Sequence, residues 1–232
     1  MKKPLRDVAA SMRQRLLTLA HASGQPDGEL LDRYCIERRL YRLSRSPHRE
    51  RFILKGAMLL TAWGGGVAQR VTRDAGLSGF GDSSIPALQR TFREICATEL
   101  EEDGVQFNLR SIRAEEIRAR AEYAGVRVEL RAVLGGAVVP VPVDVGFGDA
   151  VRPTEITFPS LLDLPQPMLR AYARENSIAE KFEATNSRNT PPCHSSGPSM
   201  PRHGHAAWTR FPTTSLILNS RRHGRIYSCR RV

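Results

Sequence analysis

Asp144 is an acid inside an apolar run: Val139, Val141, Val143 and Val145 alternate with Pro140, Pro142 and Asp144, which is the period of a strand. A carboxylate on a half-buried strand requires a compensating cation or donors, or else it points outward from an edge strand into water. Asp74 gives the same signal within residues 70–77, read as a second strand. Two strands bearing one carboxylate each can present both to one divalent ion, and hard oxygen donors suit Mg2+. Lys55-Gly56 stands where a helix should begin. Free backbone N–H groups at a helix start attract an anion and glycine permits close approach, so the pair is a phosphate seat or a plain helix start. Lys181, one of four lysines beside 31 arginines, reads by itself as a solvated surface group. No G-x-x-x-x-G-K-[ST], G-x-S-x-G or H-E-x-x-H occurs, which leaves P-loop, α/β-hydrolase and zinc-protease chemistry without support.

These residues need a sheet to hold them. GVRVELRAVL (125–134) alternates Val126, Val128 and Leu130 with Arg127, Glu129 and Arg131, and Gly135-Gly136 joins it as a hairpin to the Asp144 strand. Pro140 and Pro142 place part of that second strand at an edge or bulge. GFGD occurs twice, at 79–82 and 146–149, and both copies read as turns. Helices are predicted over 4–21, where Leu5, Val8, Met12, Leu16 and Leu19 share a face, and over 28–44, with Leu31, Tyr34, Cys35, Leu40, Tyr41 and Leu43 inward. A short extended piece at 51–54 precedes a helix from Gly56 to the glycines at 64–66, and further helices are predicted over 86–100 and 175–184. The expected fold is α+β: a small mixed β-sheet flanked by helices.

With 232 residues, 41 % apolar and 25 % charged, the chain fits one domain or one domain with a helical annex. No apolar run approaches the length needed to span a bilayer, and Arg6, Asp7, Arg13 and Arg15 interrupt any signal-peptide core. A cytoplasmic protein is expected, with Cys35, Cys96, Cys193 and Cys229 as reduced thiols. The net charge of +11 is concentrated at one end: residues 185–232 hold eight arginines and no lysine or acid, leaving 27 basic and 24 acidic side chains in residues 1–184. That proline-rich segment is read as a disordered basic tail. Competing readings are an RNA-binding arm, and a metal site drawn from Cys193, His194, His203, His205, His223 and Cys229, whose spacings match no zinc pattern. The expected organisation is an N-terminal helical segment (1–50), a core (51–184) and the tail (185–232).

Taken together, FILKGAMLLTAW, RVTRDAGLSGFGD, VPVDVGFGD and RENSIAEKFEA resemble the AbiEii/AbiGii toxin family of nucleotidyltransferases, whose fold is that of the DNA polymerase beta superfamily. The resemblance implies a nucleotidyltransferase-like core that moves a nucleotide from an NTP to an acceptor such as RNA or tRNA with Mg2+, under a cognate antitoxin. It assigns nucleotide phosphate to Lys55, Gly56 and Ala57, metal to Asp74 and Asp144, assistance to the nucleophile to Asp144, and the triphosphate to Lys181. The family's D-x-D pair here reads Asp74-Ala75-Gly76. Gly76 offers no ligand, so impaired transfer is expected; the alternative is a non-catalytic remnant that still binds nucleotide or antitoxin. The family's helical continuation is missing after Ala184, which reads as truncation or a shifted reading frame.

Overall fold

The structure is a computed structural model and describes residues 5–64, 74–117, 125–148 and 151–189. These lie within the first of two compact units, Met1–Thr190, the second being Pro191–Val232. The tail reading therefore falls almost entirely outside the described residues. Helix α1 spans Leu5–Ser23 and α2 Asp27–Arg45; a 3-10 turn at Arg49–Arg51 leads into β1, Phe52–Lys55. Then come α3 (Met58–Trp63), β2 (Ala75–Gly79), α4 (Ile85–Ala97), β3 (Gln106–Ile117), β4 (Gly125–Leu134), β5 (Ala137–Pro140), β6 (Val143–Phe147), β7 (Pro153–Thr157), β8 (Met168–Tyr172) and α5 (Arg174–Asn189).

The strands form one mixed sheet in the order β3-β4-β6-β2-β1-β8-β7, with β5 also paired to β4. Strands β2 and β6 run parallel, as do β1 and β8, and the remaining neighbours are antiparallel. The α+β expectation holds, but the sheet is larger than the sequence implied. Strand β3, a polar twelve-residue strand, and the short β7 form its two ends. Alternation in β3 is interrupted by a register shift between Asn108 and Arg113, which conceals a period of two. The expected single strand through Val139–Val145 is two strands, β5 and β6, parted at Val141-Pro142; Val141 N–H still donates to the Leu130 carbonyl at 2.8 Å, whereas Pro142 has no N–H to give. Both pieces pair with β4, so the prolines mark a break along one strand path. Asp74 precedes β2 and is exposed, residues 70–73 lie outside the described residues, and both GFGD copies begin within strands, Gly79 in β2 and Gly146-Phe147 in β6.

Strand alternation fixes which face is packed. Leu54, Ala75, Leu77, Val126, Val128, Val143 and Val145 join Leu16, Tyr34, Leu40, Leu88 and Phe92 in one core cluster. Helix α4 contributes Leu88, Phe92 and Ile95 from one side, and the Phe92 ring lies 5.6 Å from that of Phe52. Helix α2 starts after Pro26, with Asp27 and Glu29 in its first turn and Arg42 and Arg45 in its last, the charge order its dipole favours. It is buried more completely than its apolar stripe requires: Glu37, Arg38, Arg39 and Arg42 are all buried.

Each of these buried charges ties α2 to a loop. Glu37 accepts from the Ser160 hydroxyl at 2.7 Å and the Leu161 N–H at 2.8 Å, and Arg38 donates to the Pro165 carbonyl at 2.9 Å. Arg42 forms a fork on Asp103, at 2.7 and 3.1 Å, and Asp103 also accepts from the Val105 N–H. Breaking a buried pair strands a charge. Asp103→Ala is therefore expected to lower unfolding free energy by about 3–5 kcal/mol in urea titrations, whereas Arg42→Met with Asp103→Leu should cost clearly less.

Candidate active site

The register of four neighbouring strands places four side-chain positions at one level. Lys55 pairs with Gly76, Gly76 with Asp144, and Asp144 with Arg127. Cross-strand partners point to the same face, so all four lie opposite the core-facing Leu54, Leu77 and Val145. A cleft of about 250 Å³ opens there, lined by Lys55, Gly56, Gly76, Asp144, Gly146 and Glu180 among others. A larger groove of about 400 Å³ along β3, β4 and β5, with Arg113, Glu129 and Arg131, contains none of these four.

Gly56 follows β1 and turns the chain into α3 with φ +77°, a left-handed conformation that disfavours side chains. Its missing Cβ would meet nothing within 4 Å, so only the backbone calls for glycine. The Lys55 side chain extends along the face, and a Cβ on Gly146 would stand 3.2 Å from its Nζ. Lys55 Nζ donates to Glu180 Oε1 at 2.9 Å and lies 5.7 Å from the centre of the Tyr172 ring. Helix α5 thus presents Glu180 to the cleft, while the adjacent Lys181 is exposed.

The two predicted carboxylates converge, but on an arginine. Arg127 Nε donates to Asp144 Oδ1 and its Nη2 to Asp144 Oδ2, both at 2.8 Å, and Nη2 lies 3.8 Å from Asp74 Oδ2. Hydrogen bonding to Asp144, then its negative charge, holds the Arg127 guanidinium above its ordinary value. No group of three His, Cys, Asp or Glu able to hold a metal occurs among the described residues. Gly76 supplies no oxygen, and both oxygens of Asp144 face the guanidinium fork. The side chains as arranged therefore do not fit the Mg2+ site at Asp74 and Asp144 that the sequence resemblance implies.

Behind the sheet, Arg39 Nη1 donates to the carbonyls of Val141 and Pro142 at 2.8 and 3.1 Å, fixing the strand break just before Asp144. Burial pushes the Arg39 guanidinium down to about 10. Arg127, Glu180 and Arg39 were not evident as site residues. Arg127 had a usable signal, since it is a polar-face residue on the strand joined by a hairpin to the Asp144 strand. Arg39 had none, because nothing local marks one arginine of a Glu-Arg-Arg run as buried. Gly56→Ala is expected to cost about 1–2 kcal/mol in unfolding free energy without steric clash, and Gly136→Ala, at φ +83° with open space around it, a similar amount; calorimetry on both variants checks this.

The family described as the nucleotidyl transferase AbiEii toxin of type IV toxin–antitoxin systems matches residues 38–203, which include β1, β2, β6 and α5. Among solved structures, JHP933 from Helicobacter pylori is similar at 16 % identity and TM-score 0.37, over 63 % of this chain and 53 % of that one. A second Helicobacter pylori protein, described as a candidate nucleotidyltransferase, is similar at 15 % identity and TM-score 0.33, over 63 % and 55 %. The chain thus spans about half the length of these two proteins. No curated protein matches it, and no described helix is long and apolar enough to cross a membrane. With well over half of its residues matched, and with the cleft-forming strands inside the matched range, the chain belongs to the AbiEii nucleotidyl transferase toxin family.

Proposed function

We propose that this chain is an AbiEii-type toxin nucleotidyltransferase in which an NTP occupies the cleft beside Gly56 and transfer onto an acceptor, RNA such as tRNA, is impaired. The observation that carries this is the single row of Lys55, Gly76 and Asp144 across three strands, next to a glycine turn that opens a helix. Backbone N–H groups at the turn of Gly56 and Ala57, with the Lys55 ammonium, suit phosphate oxygens. Lys181 on α5 is the second cation proposed for the triphosphate, through movement of a long side chain on an exposed turn. Asp144 is the proposed acceptor for the attacking hydroxyl's proton, through a lone pair that the Arg127 fork leaves open. Asp74 and Asp144 are also where the family's divalent ion, Mg2+ by its oxygen ligands, belongs. Here they serve Arg127 instead, so no step is assigned to that ion. A cognate antitoxin is the proposed protein partner, and the cytoplasm, where NTP and RNA are found, is the proposed location.

A second reading, a non-catalytic remnant that holds nucleotide or antitoxin, is favoured specifically by Gly76. A Cβ there would stand 3.2 Å from the Lys55 carbonyl oxygen, so an aspartate fits only if that strand edge yields by a few tenths of an ångström. Transfer of radiolabelled NTP to RNA, measured on the natural chain and on Gly76→Asp, tests both readings. The natural chain is expected to bind NTP, and Gly76→Asp to transfer about 10²–10⁴-fold faster, the scale of one well-placed catalytic group, when Arg127→Gln also frees Asp144. Binding without transfer in either chain supports the remnant. Absence of NTP binding in both contradicts the whole reading.

A further inference from the structure

The geometry points to Arg127 as the residue that keeps a divalent cation off Asp74 and Asp144 beside this cleft: its guanidinium bonds Asp144 and lies within ion-pair distance of Asp74, where a shared ion would have to be. This rests on the reading of the cleft given above and specifies which cation it holds. Both oxygens of Asp144 are taken by the fork at 2.8 Å, and the nitrogen that bonds Oδ2 is also the one 3.8 Å from Asp74. A Mg2+ ion bonds oxygen at about 2.0–2.1 Å in near-octahedral geometry; the fork takes one lone pair on each Asp144 oxygen, so an ion there would have only the remaining lone pairs and would stand beside the fixed positive charge of Arg127.

The pairing follows from the sheet. Arg127 and Asp144 are direct partners in the antiparallel β4–β6 ladder, so the fork is aligned by register, and Val126, Val128, Val143 and Val145 pin both strands from the core side. Arginine keeps its charge at physiological pH, so mild acid or base does not open the position. Gly76 completes the exclusion: it adds no carboxylate beside Asp144 in the row, so a divalent ion would have to displace a bidentate arginine partner to gain Asp74 and Asp144 as ligands.

Mn2+ alone, added to the full chain and followed by electron paramagnetic resonance of the free ion, tests this. The natural chain is expected to show no Mn2+ site that depends on Asp144. Arg127→Gln and Arg127→Met are expected to bind one Mn2+ at least tenfold more tightly, to gain further from Gly76→Asp, and to lose the site with Asp144→Asn. Arg127 is half-exposed, so neither replacement disturbs the core, and circular dichroism checks that both fold. A natural chain that binds Mn2+ and loses it in Asp144→Asn overturns the inference. So do folded Arg127 variants with no gain, or variants unable to fold, which would make the guanidinium a structural support. NTP binding measured in EDTA is read separately: its absence contradicts the nucleotide reading and leaves the Mn2+ result interpretable.

Discussion

One level of the sheet governs the site. Lys55, Gly76, Asp144 and Arg127 come from four strands whose pairing is antiparallel, parallel and antiparallel in turn. A slip of one residue in any pairing would turn a side chain to the other face and replace it with a core residue. The valines flanking Asp144 and the leucines flanking Lys55 and Gly76 make such a slip expensive, since each buried aliphatic side chain is worth about 1.5–3 kcal/mol. Hydrophobic packing on one face thereby sets the chemistry on the other.

What arrives at that level is a set of matched charges. Lys55 meets Glu180, and Arg127 meets Asp144 with Asp74 nearby. Both pairs are partly exposed, where ion pairs contribute modestly to stability, and their consequence is occupancy: the groups suited to phosphate and metal are engaged within the chain. The firm ionic contacts lie elsewhere, along α2, whose buried Glu37, Arg38, Arg39 and Arg42 bind the loops around Asp103, Val141 and Ser160. Arg39 joins the two systems, because it holds the carbonyls just before the Asp144 strand.

Much of this was legible in the sequence where alternation was strict. The hairpin through Gly135-Gly136, the valine pattern around Asp144, the glycine after Lys55 and the amphipathic α4 all carry their structure in local periodicity. Sequence reasoning put Asp74 within a strand, where it stands just before β2, and left Arg127 unassigned, because alternation says which residues share a face without saying which charge answers which. The β3 strand was missed because a register shift interrupts its period and polar residues dominate it. The burial of the α2 charges had no local signal either: a helix packed on several sides buries its polar face too, and only the tertiary contacts of Glu37 and Arg42 reveal their partners. Glu180 rather than Lys181 lines the cleft because helix phase, set by packing, chooses between neighbours.

The central claim is that the sheet register couples Asp144 to Arg127. A double-mutant cycle of Arg127→Gln and Asp144→Asn in urea unfolding measures that coupling directly. A coupling of about 0.5–1 kcal/mol is predicted, at the upper end for a partly exposed pair because the fork is bidentate. Additivity within about 0.3 kcal/mol would contradict it.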